Sequence, residues 1–402
     1  MLKYLAPSGS PIKTSEFLYW IICNLLFLDK RSALKDELKK RYSHDYNYLF
    51  TTGRGAMTLL LRSLAEMNKQ KNRIEVVIPA YTCYSVASSI VNAGLKIRIC
   101  DINPETLSYD LDNLKKIPFE NVLCVITSNL YGIPNQLVEL ENIADSNNVY
   151  LIDDAAQSLN AKYSGRYLGT FGVAGLYSFD KGKNITSIDG GVVVTSNKEL
   201  SEIINKHYQQ LLNCSKKQNL VTAAKVIVYY IFLNPILYWL PASLPFLNLG
   251  KTRYEYDISI KRYSRIVAPL ALKQLKRSEH ITDERVKNGN WYKNNLNENK
   301  ELSKIIEFQE ANPVYLRYPV KINDKTKREA ILKHTKRYGI TNSYPKPLHK
   351  LEEISQYLVS DDDFDGANKV AEQIITLPTH AYVSNQNKST LNRILKKYLI
   401  KK

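Results

Sequence analysis

Residues 149–157, Val149-Tyr150-Leu151-Ile152-Asp153-Asp154-Ala155-Ala156-Gln157, run from an apolar, β-forming stretch straight into two acids. Carboxylates at the end of a buried strand cost free energy unless they are paired, hydrated or hydrogen-bonded. Two readings of the pair stand side by side. In one, an acid caps the helix that follows. In the other, a carboxylate is aimed at a cation, either a metal ion or a protonated ring nitrogen. The strand itself belongs to a set. Residues 74–79, 96–100, 122–126 and 191–195 are likewise short and mostly apolar, and helical patterns such as 136–146 lie between them. This alternation predicts an α/β fold: a mostly parallel sheet covered by helices. Ligands on such sheets gather at the carboxyl ends of the strands, where Asp153 and Asp154 stand.

Upstream, Gly53-Arg54-Gly55-Ala56 separates apolar Tyr48-Leu49-Phe50 from a helical stretch over 57–64. Glycines between strand and helix let backbone N–H groups approach an anion. The spacing is GxGxxT and no acid closes the next strand, so a dinucleotide fingerprint is not met. Downstream, Ser178-Phe179-Asp180-Lys181-Gly182-Lys183-Asn184 leads into Asp189-Gly190-Gly191. Gly182-Lys183 is not a P-loop, because Tyr177 stands where the first glycine is required and Asn184 replaces Ser/Thr. A lysine between a polar loop and a glycine turn is usually solvent-exposed. It is also how a Schiff-base lysine is presented.

The order of these pieces, glycine turn, Asp-Asp-Ala-Ala-Gln, Ser-Phe-x-x-x-Lys-Asn and Asp-Gly-Gly, resembles the DegT-type sugar aminotransferases. These are pyridoxal-phosphate enzymes of the aspartate-aminotransferase fold. The resemblance runs from about Tyr48 to Thr195, with weaker traces at residues 260–275, 344–349 and 377–380. It implies that Lys183 is the Schiff-base lysine and the general base and acid of the reaction. Asp154 would pair with the pyridine N–H⁺, and Gln157 would face the phenolic oxygen. Ser178 and the Arg54–Gly55 backbone would hold the phosphate. Cys83 stands where the family stacks Trp or Phe on the ring, so either Tyr81 or Tyr84 moves in or the ring is held differently. Ile260 replaces the family's partner-subunit Asn, and Ile188 the first glycine of its second turn. Tyr344, His349 and His380 fall in motifs on the substrate side. Some relatives carry His at the lysine position and perform dehydration, against which Lys183 argues. The implied function is transfer of an amino group from an amino acid, glutamate or glutamine by analogy, to a keto-sugar. That sugar would be nucleotide-linked, the process surface-polysaccharide synthesis and the assembly a homodimer. The alternatives are a non-catalytic binding or regulatory protein on this fold, or a membrane-interface protein.

The chain has 402 residues, 44% apolar and 24% charged. Such a composition belongs to a folded globular chain and excludes disorder as the main state. The length predicts roughly two or three domains; patterning and the resemblance together imply an N-terminal helical segment (1–40), a large cofactor-binding domain (41–255) with an apolar insert (226–249), and a smaller C-terminal α+β domain (256–402). The net charge is +17 and nearly all of the excess lies after residue 200. That field suits nucleic acid, anionic lipid or a phosphorylated substrate, and equally a solvated Lys-rich surface; with the resemblance in hand no nucleic-acid partner is expected. Five scattered cysteines form no CxxC pair, so neither a disulfide framework nor a metal site is expected, and a reducing compartment fits better. Residues 17–28 are apolar, but Asp29-Lys30-Arg31 follows where a secretory leader carries small residues. A cytoplasmic location is therefore expected. This segment is too short to span a bilayer, and 226–249 is broken by Pro235, Pro241 and Pro245. Both are expected to lie peripherally on a membrane face or to pack in a dimer seam. His44, His207, His280 and His334 lack metal-like spacing and are expected at the surface.

Overall fold

The structure is a computed structural model that describes residues 4–244, 254–360 and 362–400. Nine strands form in the first half of the chain: β1 (Tyr46–Phe50), β2 (Glu75–Pro79), β3 (Lys96–Cys100), β4 (Val122–Ile126), β5 (Tyr150–Asp154), β6 (Lys162–Tyr163), β7 (Arg166–Tyr167), β8 (Ala174–Ser178) and β9 (Gly191–Thr195). Seven of them make the central sheet, in the order β1-β9-β8-β5-β4-β2-β3. β2 runs parallel to β3 and β4, β4 to β5, and β5 to β8. β9 returns antiparallel between β8 and β1. The carboxyl ends of β1, β2, β4, β5 and β8 therefore meet along one edge, together with the start of β9.

The apolar runs are continuous because both faces are covered. Val76, Ile78 and Ile152 enter one core, while Val77, Val125 and Leu151 enter the other. Each such side chain, fully buried, contributes about 1.5–3 kcal/mol.

The C-terminal unit is built on a three-stranded antiparallel sheet. Here β11 (Ala311–Asn312) leaves to pair with β6, while β10 (Leu302–Lys304), β12 (Arg317–Ile322) and β13 (Ile374–Pro378) form the sheet proper. Residues 262–277 are hydrogen-bonded to β1 and to the N-terminal helix. The Tyr263 N–H donates to Leu49 O (3.1 Å). Helix α1 (Thr14–Leu25) sits on this stretch: Trp20 Nε1 donates to Ile266 O (2.8 Å), and buried Glu16 takes Gln274 Nε2 and Arg277 Nε, both at 2.7 Å.

Residues 5–10 thread between the two units. The Leu5 N–H donates to Arg337 O (2.9 Å), His380 Nε2 to Ala6 O (2.8 Å), and Arg285 Nη2 to Gly9 O (2.8 Å). In the apolar insert, a helix spans Lys216–Phe232 and a short turn Trp239–Ala242. Residues 245–249 of that expected segment lie outside the described residues. Among the described residues no helix is long and apolar enough to cross a membrane. One surface expectation fails: His44 is buried, and desolvation pulls its pKa down to about 4, so it is neutral.

Candidate active site

Along a strand, successive side chains point to opposite faces. This separates the two acids that end β5. Asp153 is fully buried and accepts from Thr127 Oγ1 (3.1 Å), Asn129 Nδ2 (3.0 Å) and the Gly169 N–H (2.5 Å). Desolvation pushes its pKa up to about 6 against those donors. It is a structural acceptor that pins the loops around β5. Asp154 faces the cleft half-buried. Its carboxylate accepts the Ala156 N–H (2.9 Å), and the cation acting on it is Lys183. Burial raises its pKa, and the Ala156 N–H and the Lys183 charge pull it back. The helix-cap reading is not met, because a turn and no helix follows β5; one carboxylate instead serves the fold and the other lies under the charge of Lys183.

Lys183 sits in the loop between β8 and β9. The loop is held by Phe179 N–H to Gly190 O (2.9 Å), Ser187 N–H to Phe179 O (2.9 Å) and Lys183 N–H to Asp180 O (3.0 Å). The N-terminal strand clamps it from outside, since Ser8 Oγ donates to Gly182 O (3.0 Å) and Ser10 Oγ to Lys183 O (3.3 Å).

The anion end is formed by the helix Gly53–Met67. Thr52 caps it, its Oγ1 accepting the Gly55 N–H at 3.0 Å. A Cβ at residue 53 would stand 3.4 Å from Ser178 Oγ, so the serine hydroxyl and the free N–H groups of the helix start converge. The Arg54 guanidinium is paired with Glu255, which leaves the backbone of residues 53 and 54 as the anion donor. A Cβ at Gly55 would meet Ile260 Cα at 3.5 Å, which places Ile260 against this turn.

Gln157 has both ends committed. Its Oε1 accepts the Tyr131 N–H (3.1 Å) and its Nε2 donates to Tyr344 Oη (2.9 Å). Tyr131 holds a left-handed backbone, φ +58°, a strained conformation of the kind concentrated at functional sites. Tyr344 is thereby brought into the site. Both tyrosines beside Cys83 have their hydroxyls engaged by the 344–346 segment. Tyr81 is buried and donates to Tyr344 O (3.2 Å), and Tyr84 donates to Lys346 O (2.9 Å). Cys83 itself starts the next helix, accepts from Ser85 Oγ (2.9 Å) and lies beside Tyr344.

The late histidines are placed elsewhere. His349 pairs with Asp363 at 3.0 Å and its ring lies edge-on to Phe364. No contact among the described residues joins it to Asp154, Gln157 or Lys183. His380 is buried against the N-terminal strand with its pKa pulled down to about 4 by desolvation, and it is neutral. Sequence reasoning missed three participants: Ser8, Tyr131 and Arg317. Arg317 Nη2 donates to Ser8 Oγ (3.3 Å) and Nη1 to Ser343 Oγ (3.2 Å). None of the three stands in a motif; the fold brings Ser8 to the lysine loop, Tyr131 to Gln157 and Arg317 to Ser8.

The set fits pyridoxal phosphate. Among the described residues no arginine holds the Asp154 carboxylate and the Lys183 charge acts on it, and a helix start and a serine hydroxyl converge where a phosphate would sit.

A family model described as the DegT/DnrJ/EryC1/StrS aminotransferase family matches residues 29–396. The chain is 28% identical over 187 residues to the GDP-4-keto-6-deoxy-D-mannose 3-dehydratase of Yersinia pseudotuberculosis, covering 44% of this chain and 48% of that protein. It is 30% identical over 166 residues to the GDP-perosamine synthase of Escherichia coli O157:H7, covering 41% and 45%. The chain thus spans less than half the length of these curated relatives. Among solved structures, Helicobacter pylori PseC, an aminotransferase involved in the biosynthesis of pseudoaminic acid, superposes with a TM-score of 0.80 over 99% of both chains at 17% identity. That likeness establishes the fold.

Proposed function

The chain belongs to the DegT/DnrJ/EryC1/StrS aminotransferase family, and from that premise we propose that it is a pyridoxal-phosphate-dependent transaminase acting on a keto-sugar. The observation that carries this reading is that Asp154, at the end of β5, lies within the electrostatic reach of Lys183, while Ser178 at the end of β8 stands against the start of the helix at Gly53. When bound, pyridoxal phosphate supplies an electron-poor ring that stabilises negative charge on a carbon losing its proton. This chain's residues supply the rest. Asp154 would hold a proton on the ring nitrogen by charge. The N–H groups of residues 53 and 54 and Ser178 Oγ would bind the phosphate, the Gly55 N–H being taken by Thr52 Oγ1. Gln157 and Tyr344 fix the orientation at the opposite rim. Lys183 Nζ takes the proton from the donor's α-carbon and returns one to the reacting carbon of the sugar.

The finer parts of the proposal are glutamate as donor, a nucleotide-linked sugar, a homodimer and a role in surface-polysaccharide synthesis. A pocket of about 460 Å³ beside the phosphate cradle, lined by Arg54, Lys217, Lys225 and Lys261 against Asp189, supports an anionic substrate. One relative is named a dehydratase, but an amine at position 183 supports transamination here. Incubation with pyridoxal phosphate tests the reading. The protein should acquire a visible absorption band, lose it on addition of glutamate and regain it with a nucleotide-linked keto-sugar. A band that does not respond to any amino acid would leave a cofactor-binding protein without transaminase activity.

We also propose that the enzyme rests on an anionic membrane surface. Leu18, Ile22, Leu25, Leu26 and Phe27 are exposed on and just after α1, and Leu220, Ile227, Val228 and Ile231 on the helix Lys216–Phe232. The two helices are joined by the stacked rings of Phe17 and Tyr230, centroids 4.1 Å apart. Cations rim the apolar face: Lys273 lies over Tyr19 and Arg265 over Phe27. No carboxylate occurs between Glu202 and Glu255. A second copy would set these cations against their own kind, whereas anionic headgroups complement them.

A further inference from the structure

Arg285, Lys321, Arg328 and Lys388 are buried in or near the C-terminal unit, Arg317 is partly buried there, and the first four are explained by their acceptors, Lys388 donating to Asn288 Oδ1 (2.8 Å). Arg285 donates to Leu316 O and Gly9 O, Arg328 to Ile374 O and Ala371 O, and Lys321 pairs with Glu105. Arg317 differs. It opens β12 at the cleft, and its hydrogen bonds run to two hydroxyls, Ser8 Oγ and Ser343 Oγ. Among the described residues no carboxylate pairs with it. Burial pulls its pKa down, opposed by Tyr344, Tyr131, Tyr238 and Tyr81 around it. A cation kept in a phenol-lined recess without an anion is costly, and a ligand that supplies the anion removes the cost.

We propose that Arg317 binds the α-carboxylate of the amino donor. The assignment deepens the transaminase reading and rests on it. Two facts select a carboxylate. First, the hydrogen-bond path from Arg317 through Ser8 ends on Gly182 O, one residue from Lys183, and through Ser343 the chain passes to Tyr344, which holds Gln157. In an amino acid the carboxylate is bonded to the same carbon that bears the amine. Its binding group must therefore stand next to the position where Lys183 works. Second, a guanidinium presents a planar fork that matches the two oxygens of a carboxylate. The basic pocket on the phosphate side, by contrast, suits a larger polyanion. Ser8 then has a role as well: the N-terminal strand carries the hydroxyl that orients Arg317 towards the lysine loop.

The test uses full-length, cofactor-loaded protein and calorimetry with two probes, 2-oxoglutarate and a nucleoside diphosphate. Arg317→Gln should weaken 2-oxoglutarate about tenfold or more and leave the nucleoside diphosphate unchanged. Arg317→Lys, which keeps the charge and loses the fork, should recover part of the affinity. In stopped-flow the same variants should raise the apparent KM for glutamate more than they slow the saturated rate. An unchanged melting temperature and cofactor spectrum in the Gln variant show that the fold and the cradle are intact; if that variant fails to fold, the Lys variant carries the comparison. Unaltered 2-oxoglutarate affinity in a folded variant, or loss confined to the nucleoside diphosphate, overturns the assignment. Should the wild-type chain take up no pyridoxal phosphate at all, the transaminase reading fails first; a loaded wild type with an indifferent Arg317 condemns only this inference.

Discussion

At the scale of residues, the two neighbouring aspartates make opposite predictions. Asp153 satisfies three buried donors, so Asp153→Ala should lower the folding free energy by at least about 2 kcal/mol and depress the melting temperature. Asp154→Asn should leave the melting temperature near wild type and cut turnover by about a thousandfold, because an amide cannot hold the ring proton by charge. If Asp154→Asn instead unfolds the chain, the acid serves the fold and is not a charge partner. Acid sensitivity has a sign that follows from two histidines. His44 and His380 are buried with pKa values of about 4, below the usual 6.5. Between those values the unfolded chain binds more protons than the folded one. These two groups therefore contribute a fall in stability as the pH drops from about 6.5 towards 4 and nothing above that window, while Asp153, pushed up to about 6, contributes with the opposite sign below 6. His380→Gln should flatten part of that acid slope in a melting-temperature series, while an unchanged slope would show that other groups set it. The proximity of Asp154 and Lys183 was legible in the sequence because their motifs close the apolar runs that become the neighbouring strands β5 and β8. His349 was not, because a motif match does not tell which way a side chain turns, and Asp363 and Phe364 take it.

At the scale of elements, the strands over 96–100, 122–126 and 191–195 form where the apolar runs put them, because a doubly covered sheet demands that continuity. The apolar insert was harder to read. Its helix starts at Lys216, ten residues ahead of the apolar run, because Ser215 and Gln218 make a capping box. Pro235 stands just beyond its end. The exposed apolar stripes of α1 and of this helix carry the membrane prediction. The protein should sediment with liposomes rich in anionic lipid at low salt and not with neutral ones, and the attachment should weaken as salt screens the rim. Leu25→Asp with Leu26→Asp should release it and leave the circular dichroism and cofactor spectrum unchanged. Failure of the wild type to sediment at low salt would assign the stripes to an oligomer seam.

At the scale of the whole molecule, the large layer supplies the sheet edge, the C-terminal unit supplies Arg317 and Tyr344, and the N-terminal strand ties the two together through Ser8 and Ser10. The α/β architecture was legible because sheet and helix each impose a period on the sequence. The N-terminal strand was not, since an extended segment with backbone and hydroxyl bonds imposes none. The attachment of residues 262–277 to α1 was hidden for a related reason: buried Glu16 and Trp20, far away in sequence, decide it. The central claim is that all these parts converge on one amine. Reduction of the pyridoxal-phosphate-loaded protein with borohydride, followed by digestion and mass spectrometry of the peptides, reads that amine directly. The adduct should fall on Lys183 and be absent from neighbouring Lys181; an adduct on another lysine, or none in a protein that has taken up the cofactor, would contradict the account.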